Sequence, residues 1–192
     1  MQAPSHLVVA SRNPDKIKEV EQVLARLDLP SVVVRGRTWP AVPETAETLE
    51  GNALLKARAV VGHTGLAALA DDTGLEVDAI GGAPGVRTAR FAGPDATYED
   101  NVALLLDVLG DSPARSARFR TAVAVVTTHG EELVAVGTLE GRITERPRGE
   151  SGFGYDPVFE VDGVTLAEME DGVKNTISHR ARALEALVST LT

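Results

Sequence analysis

Residues 66–74 read Leu-Ala-Ala-Leu-Ala-Asp-Asp-Thr-Gly, a short apolar run that ends in two adjacent carboxylates. The run predicts a buried strand, because about four to eight consecutive apolar residues followed by turn residues are typical of one. Two aspartates in succession are costly unless they are solvated or paired. Asp71 and Asp72 therefore indicate either a cation site or an ordinary turn. Since adjacent strand residues point to opposite faces, we expect one carboxylate to face a cleft and the other to support the structure.

Strands and helices alternate in the first half of the chain, and long β-rich segments follow. Asn13 and Pro14 mark one helix start, as an N-cap and a first helical residue. The other predicted strands are 6–10, 32–35, 117–128, 133–143, 157–161 and at most a short one at 75–79, and the other predicted helices are 48–61, 98–109 and 178–191. This order predicts an α/β fold in a single domain over residues 1–192. We expect a mixed central sheet with long antiparallel strands, flanking helices and two lobes around a cleft.

Composition limits the class of protein. The chain has 192 residues, of which 43% are hydrophobic and 24% are charged, as in a soluble globular protein. It has no cysteine, which excludes disulfides and thiolate metal sites and fits a reducing compartment. The formal net charge of −9 disfavours binding to nucleic acid. No apolar run is long enough for a membrane span or a secretory signal, so we expect a cytoplasmic protein with no membrane partner.

The segment 11–16 connects a predicted strand to a predicted helix. Such a junction directs backbone N–H groups and the positive end of the helix dipole towards a bound anion. Ser11, Arg12 and Asn13 lie in this loop, and Lys16 adds a positive charge one turn into the helix. The segment is therefore either an anion site or an ordinary capped helix with a solvated lysine.

Acidic residues precede the helix predicted from Thr48. Glu44 or Glu47 is either a metal ligand or part of a solvated acidic loop. Lys56 lies on that helix among alanines and leucines. It is either a surface lysine with a buried stem or a contact to a phosphate group.

The segment 153–156 carries groups suited to a nucleobase. Phe153 can stack on a base, Gly154 permits close approach of the backbone, and Asp156 can accept a hydrogen bond from a base N–H. The alternative is a turn that contains a core aromatic residue. Aromatic residues make up only 4% of the chain, so Phe153 and Tyr155 in one turn flanked by glycines favour a function.

Two basic residues, His179 and Arg180, follow Ser178 at a predicted helix start, where positive charge is electrostatically unfavourable. This position indicates either an acceptor-rich partner or an exposed turn. A six-oxo purine presents acceptors at O6 and N7, whereas adenine presents a donor at N6. Donors from both side chains would therefore select the six-oxo ring.

Six motifs together resemble the inosine triphosphate pyrophosphatase family over nearly the whole chain. Each is weak alone, but their order is highly specific. They are Ser11-x-Asn13-x-x-Lys16-x-x-Glu19, Asn52-Ala53-x-x-Lys56-Ala57, Ala70-Asp71-Asp72-Thr73-Gly74-Leu75, Gly81-Gly82-Ala83-Pro84-Gly85-Val86 with Ala89-Arg90-Phe91, Gly152-Phe153-Gly154-Tyr155-Asp156-Pro157, and Lys174-x-x-Ile177-Ser178-His179-Arg180.

This resemblance implies a homodimeric enzyme that hydrolyses ITP, dITP and XTP to the monophosphate and pyrophosphate with Mg²⁺. It implies that Asp72 is the acid at the metal and the proton acceptor. The substrate contacts that it implies are Ser11, Arg12, Asn13, Lys16, Lys56, Thr73 and Lys174, largely to the phosphates, and Phe153, Gly154, Tyr155, Asp156, His179 and Arg180 to the base. The loop before the second helix departs from the family pattern, because Pro43 replaces the first of two glutamates and Ala46 replaces a glycine. Glu44, Glu47 or water would then complete the metal ligands.

Other functions remain open at this point. A related pyrophosphatase would act on modified pyrimidine triphosphates, and the His179-Arg180 pair argues against it. A non-catalytic nucleotide-binding protein would not need the paired acids and several lysines. An RNA-binding module conflicts with the net charge of −9.

Overall fold

The structure, a computed structural model, describes residues 1–27, 29 and 31–191. Eight strands and five α-helices follow one another along the chain. They are β1 His6–Val9, α1 Pro14–Arg26, β2 Val32–Val33, α2 Leu49–Thr64, β3 Ala67–Val77, β4 Pro84–Gly85, α3 Tyr98–Leu109, β5 Ser116–Val126, β6 Glu132–Ile143, β7 Phe159–Val161, β8 Val164–Thr165, α4 Asp171–Ile177 and α5 His179–Val188. Short 3₁₀ helices lie at Asp78–Ile80, Thr88–Arg90, Asp156–Val158 and Leu166–Glu168. The predicted mixed α/β class is confirmed.

The three longest helices begin at the side-chain caps that their sequences provide. The Asn13 side chain accepts hydrogen bonds from first-turn N–H groups of α1, and the Thr48 side chain accepts one from the Gly51 N–H in α2. At the start of α3, Thr97 forms a capping box with Asp100. These contacts satisfy N–H groups that have no partner within the helix. The predicted starts of α1 and α3 are confirmed, and α2 begins directly after Thr48.

The backbone forms two compact units. The first comprises Met1–Asp72, Thr121–Gly137 and His179–Thr192. Its strands follow the order β2-β1-β3-β5-β6, and β1 runs parallel to both β2 and β3. One core of this unit joins β1, β3 and β5 to the apolar faces of α1 and α5, and another joins β1 and β3 to α2. The unit therefore holds α1, α2 and α5 against strands that are buried on both faces.

The second unit comprises Thr73–Arg120 and Thr138–Ser178. Its strands follow the order β3-β5-β6-β7-β8, with β4 antiparallel to β3 and β7 antiparallel to both β6 and β8. Phe119 and Phe159 pack together in its core, with ring centroids 4.6 Å apart. The two long strands β5 and β6 are neighbours in the sheet. In the turn between them, the Thr127 N–H donates to the Glu131 carbonyl and the Gly130 N–H donates to the Thr127 carbonyl.

Several predicted boundaries were wrong. The strand expected at 66–70 continues through both aspartates to Val77, so the Asp-Asp-Thr-Gly segment is strand rather than turn. The helix α4, which carries Lys174, was not predicted, and α5 ends at Val188 instead of Leu191. The strand expected at 32–35 contains only two residues, and the helix α2 extends to Thr64. Within the described residues, no helix has the length and apolar character that crossing a membrane requires.

Candidate active site

The loop before α1 is ordered by its own side chains. The Ser11 hydroxyl accepts a hydrogen bond from the Asn13 N–H at 3.2 Å, and Asn13 caps the helix. Arg12 is exposed and donates to the Trp39 carbonyl at 3.4 Å. One turn into α1, the Lys16 ammonium lies 3.2 Å from an oxygen of Asp71. The loop therefore places one lysine beside the first of the paired acids.

The second of the paired acids, Asp72, is bound by two side chains of α2. The Lys56 ammonium donates to Oδ1 at 2.9 Å, and the Asn52 amide donates to Oδ2 at 3.3 Å. Lys56 also donates to Glu44 at 2.7 Å. Asn52 and Lys56 are four residues apart and so share one face of the helix. Two carboxylates from a strand and a loop thus converge on one cation, and we call Asp72, Glu44, Lys56 and Asn52 the acidic cluster.

Burial and charge act in opposite directions on this cluster. Burial raises the pKa of Asp72, and although Lys56 and Lys16 lower it, the pKa stays above its usual range. Burial lowers the pKa of Lys56, but Asp72, Asp71 and Glu44 outweigh that effect and raise it. Lys56 is therefore a cation at neutral pH, and Asp72 is a stronger proton acceptor than an exposed aspartate.

The opposing effects on Asp72 predict a measurable shift in the metal-free protein. We expect its carboxyl to titrate above the range of an ordinary aspartate. In Lys56→Met it should titrate at still higher pH, because a cation that lowers its pKa is removed. Carbon-13 NMR of labelled aspartate carboxyls measures this, with the Asp72→Asn spectrum as the assignment. Lys18→Met, an exposed lysine of α1, is the control, and an unchanged or lower pKa in Lys56→Met would contradict the prediction.

The first of the paired acids belongs to a buried arginine network, which we define as Arg180, Asp71, Glu19 and Lys16. The Arg180 guanidinium donates to Asp71 Oδ2 from Nε and Nη2, both at 3.2 Å, and its Nη1 binds Glu19. Only 2% of Arg180 is exposed. Burial lowers the pKa of Arg180 to about 10, so it remains charged at neutral pH. All three guanidinium nitrogens bind carboxylates, which favours a positioning role over the predicted contact with a base.

His179, the first residue of α5, is oriented by a residue of β5. Its Nδ1 lies 2.6 Å from the Thr121 hydroxyl, and both residues are buried. A neutral imidazole has one donor and one acceptor nitrogen. If the hydroxyl donates to Nδ1, Nε2 carries the hydrogen and becomes a donor.

An aromatic cluster forms in the second unit around Phe153. The Lys174 ammonium lies 4.9 Å from the centroid of that ring, and the Tyr98 ring centroid lies 6.0 Å from it. Asp156 Oδ2 accepts from Lys174 at 2.7 Å and from the Phe153 N–H at 2.8 Å. Gly154 has φ +64°, a conformation that favours glycine. The structure therefore brings Phe153, Asp156 and Lys174 together, whereas the family resemblance implies a phosphate contact for Lys174.

Tyr155 and Thr73 have different surroundings from these residues. Tyr155 is buried, and its hydroxyl donates to the Thr88 carbonyl at 3.0 Å, so it supports the turn that holds Phe153. Burial raises its pKa. Thr73 follows Asp72 directly on β3 and is half-buried.

Comparison with known proteins identifies the family of this chain. A sequence model of the Ham1 family matches residues 7–190. The chain belongs to the Ham1 family. A dITP/XTP pyrophosphatase of Exiguobacterium sp. is 47% identical over 188 residues, which are 94% of each chain. One of Xanthomonas campestris pv. campestris is 50% identical over 190 residues, which cover 95% of this chain and 94% of the relative.

Solved structures of the Ham1 family have the same fold. A HAM1 protein from Coxiella burnetii superposes with a TM-score of 0.86 at 38% identity, over 98% of each chain. A nucleoside-triphosphatase described as a dITP/XTP pyrophosphatase, from Mycobacterium abscessus, gives a TM-score of 0.74 at 45% identity, over 95% of this chain and 97% of that one. The family predicted from the six motifs is therefore confirmed.

Three residues of this Ham1 chain received no role from the sequence. Asn52 and Glu19 stand within quoted motifs, and their spacings of four and three residues from Lys56 and Lys16 are the signal that could have found them. Thr121 has no such signal, because it is one small polar residue in a long apolar strand. Glu47 is exposed, whereas Glu44 joins the acidic cluster, so the geometry favours Glu44 as the acid of that loop.

Proposed function

We propose that this Ham1-family chain hydrolyses dITP, ITP and XTP to the monophosphate and pyrophosphate. The observation that carries the proposal is the acidic cluster. In it, Asp72 on strand β3 and Glu44 in the loop before α2 both contact the Lys56 ammonium. The names of the relatives support the choice of substrate. A homodimer, implied by the family, stays a prediction that the molar mass in solution measures.

The acidic cluster fits a Mg²⁺ ion. Within the described ranges, no group of three or more histidine or acidic side chains is arranged to hold a metal. Mg²⁺ commonly uses one or two carboxylates, and water and substrate phosphates supply its other ligands. Asp72 and Glu44 already share a positive neighbour, Lys56. We therefore assign these two carboxylates as the ligands, and when bound the ion would neutralise phosphate charge and orient the triphosphate.

The residues of the chain supply the remaining chemistry. Asp72 accepts a proton from the attacking water as the water oxygen bonds to the α-phosphorus. The bond from that phosphorus to the bridging oxygen breaks in line, and pyrophosphate leaves. Lys56 and Lys16 hold phosphate oxygens and offset the charge that develops on the leaving group.

Base selection is proposed for three side chains. Phe153 would stack on the base, and Asp156 would accept from a base N–H. The His179 imidazole would donate to O6 or N7 of a six-oxo purine. Arg180 would act through Asp71 instead of touching the base, because each of its three guanidinium nitrogens binds a carboxylate.

A substrate panel tests the proposed function. ITP, dITP, XTP, ATP, GTP and modified pyrimidine triphosphates are each incubated with Mg²⁺, and the products are separated by ion-exchange chromatography. We expect inosine and xanthine nucleotides to be turned over fastest, with monophosphate and pyrophosphate as products. A preference for pyrimidines would favour the related pyrophosphatases, and binding without turnover would favour a nucleotide-binding protein. Diphosphate and phosphate as products would contradict attack at the α-phosphorus.

Removing the Thr121 hydroxyl is expected to weaken base selection. In Thr121→Val the hydrogen bond that orients His179 is lost, and a net hydrogen bond contributes about 1 kcal/mol, or about a fivefold preference. The ratio of kcat/KM for ITP to that for ATP should fall by about this factor, mainly through KM for ITP. Thr121→Ser should retain the wild-type ratio, and Thr127→Val, a buried threonine at the hairpin turn, is the control. An unchanged ratio in Thr121→Val would remove the hydroxyl from base selection.

A further inference from the structure

The loop that carries Glu44 is fastened to α2 by a fully buried amide. Asn52 Oδ1 accepts a hydrogen bond from the Ala46 N–H at 3.0 Å. The other end of the same amide, Nδ2, donates to Asp72 Oδ2. The Asn52 side chain therefore joins the loop at Ala46, two residues after Glu44, to the carboxylate of Asp72 on β3. Removing it would release both connections together.

The same loop packs against Gly51, whose backbone conformation does not require glycine. Gly51 lies in the first turn of α2 and has an ordinary helical φ, although glycine is among the poorest helix formers. A Cβ at this position would lie 2.7 Å from the Cβ of Ala46 and 3.1 Å from the Thr48 hydroxyl oxygen. The first distance is too short for two carbons. The close approach of the loop at Ala46 therefore accounts for the glycine at position 51.

The methyl group of Ala46 occupies space that a side chain on residue 51 would need. The absence of a side chain on Gly51 compensates for the methyl group on Ala46. The pair keeps the loop at the distance from α2 that the Asn52 hydrogen bond requires.

We propose that Ala46, Gly51 and Asn52 form a clamp that sets the separation of Glu44 from Asp72 and thereby tunes the affinity of the acidic cluster for a divalent cation. The inference deepens the proposed function and rests on it for the role of the cation. Gly51 and Asn52 are positioning residues, because they act through Glu44 and Asp72. A Cβ on Gly51 would push the loop outwards and separate the two carboxylates.

A double-mutant cycle tests the clamp. Gly51→Ala, Ala46→Gly and the double variant are compared with the wild type in Mn²⁺ binding to the nucleotide-free protein, measured by electron paramagnetic resonance. Loss of a group that orients metal ligands typically weakens metal binding by about 10- to 100-fold. We expect a loss of about 10-fold or more in Gly51→Ala. The double variant should recover to within about threefold of the wild type, because the methyl group has moved from one partner to the other.

Two further variants separate the clamp from general effects on α2. Gly62→Ala adds a methyl group to the same helix at a position where a Cβ has no atom within 4 Å, so Mn²⁺ binding should not change. Asn52→Ala should weaken Mn²⁺ binding as Gly51→Ala does. Circular dichroism of each variant confirms that the helices are retained, since alanine favours a helix over glycine.

The outcomes distinguish the clamp from the proposed function. Wild-type Mn²⁺ affinity in Gly51→Ala, or no recovery in the double variant, would overturn the clamp even if ITP is hydrolysed. No Mn²⁺ binding by the wild type would overturn it as well. If the wild type turns over none of the triphosphates but the cycle behaves as expected, the clamp stands and the proposed function fails. In an active enzyme, the Mg²⁺ concentration for half-maximal ITP turnover should follow the Mn²⁺ affinities.

Discussion

Asp72→Asn is expected to lower ITP turnover by about 10²- to 10⁴-fold, the usual contribution of a positioned proton acceptor. The change keeps the size of the side chain but removes its charge. It also places an N–H group where Asp72 now accepts from Lys56 or Asn52. Both proposed roles, metal ligand and proton acceptor, depend on the carboxylate that is lost.

The effect should appear mainly in kcat, because proton acceptance contributes in the transition state more than in substrate binding. Steady-state kinetics with ITP at saturating Mg²⁺ measure it. Glu76→Gln is the matched control, since this acid lies on the same strand but pairs with Arg118 and Arg120 in the second unit. The control should retain nearly full turnover. Near wild-type turnover in Asp72→Asn would exclude Asp72 from the chemistry.

The sequence predicts the elements whose signals are local. Asn13 and Pro14 mark the start of α1, and the segment 98–109 is found as the helix α3 with identical bounds. Caps and apolar periodicity act within a few residues, so one segment contains the information. The family resemblance adds the order of the motifs along the chain.

The sequence does not reveal that Asp71 and Asp72 lie inside a strand. The residues Asp-Asp-Thr-Gly are also suited to a turn, yet they lie within β3, a strand of 11 residues. The decisive contacts come from distant elements, because Lys16 and Arg180 bind one carboxylate and Lys56 binds the other. These partners remove the cost of an acid in a strand, and no local window contains them.

The surroundings of Arg180 also depend on tertiary contacts. From the sequence, its position at a helix start indicates either an acceptor-rich partner or an exposed turn. In the structure, the acceptors are carboxylates of the protein, Asp71 and Glu19, and the residue is buried. Glu19 lies more than 150 positions earlier in the chain, so only the fold brings the pair together.

Arg180→Met is expected to destabilise the fold by about 3–5 kcal/mol, the cost of leaving buried charges without their partner. Methionine fills much of the volume but supplies no donor to Asp71 or Glu19. Urea unfolding measures the change in the free energy of unfolding. Arg182→Met, an exposed arginine of the same helix, should change it by about 0.5 kcal/mol or less.

Arg180→Lys separates the positioning role from contact with a base. Lysine keeps the charge but lacks the planar fork that binds Asp71 through two nitrogens, so we expect a partial loss of stability. If Arg180 acts through Asp71, the ratio of kcat/KM for ITP to that for ATP should be retained at a temperature where the variant is folded. A changed ratio with unchanged stability would instead place Arg180 against the base, as the sequence alone suggests.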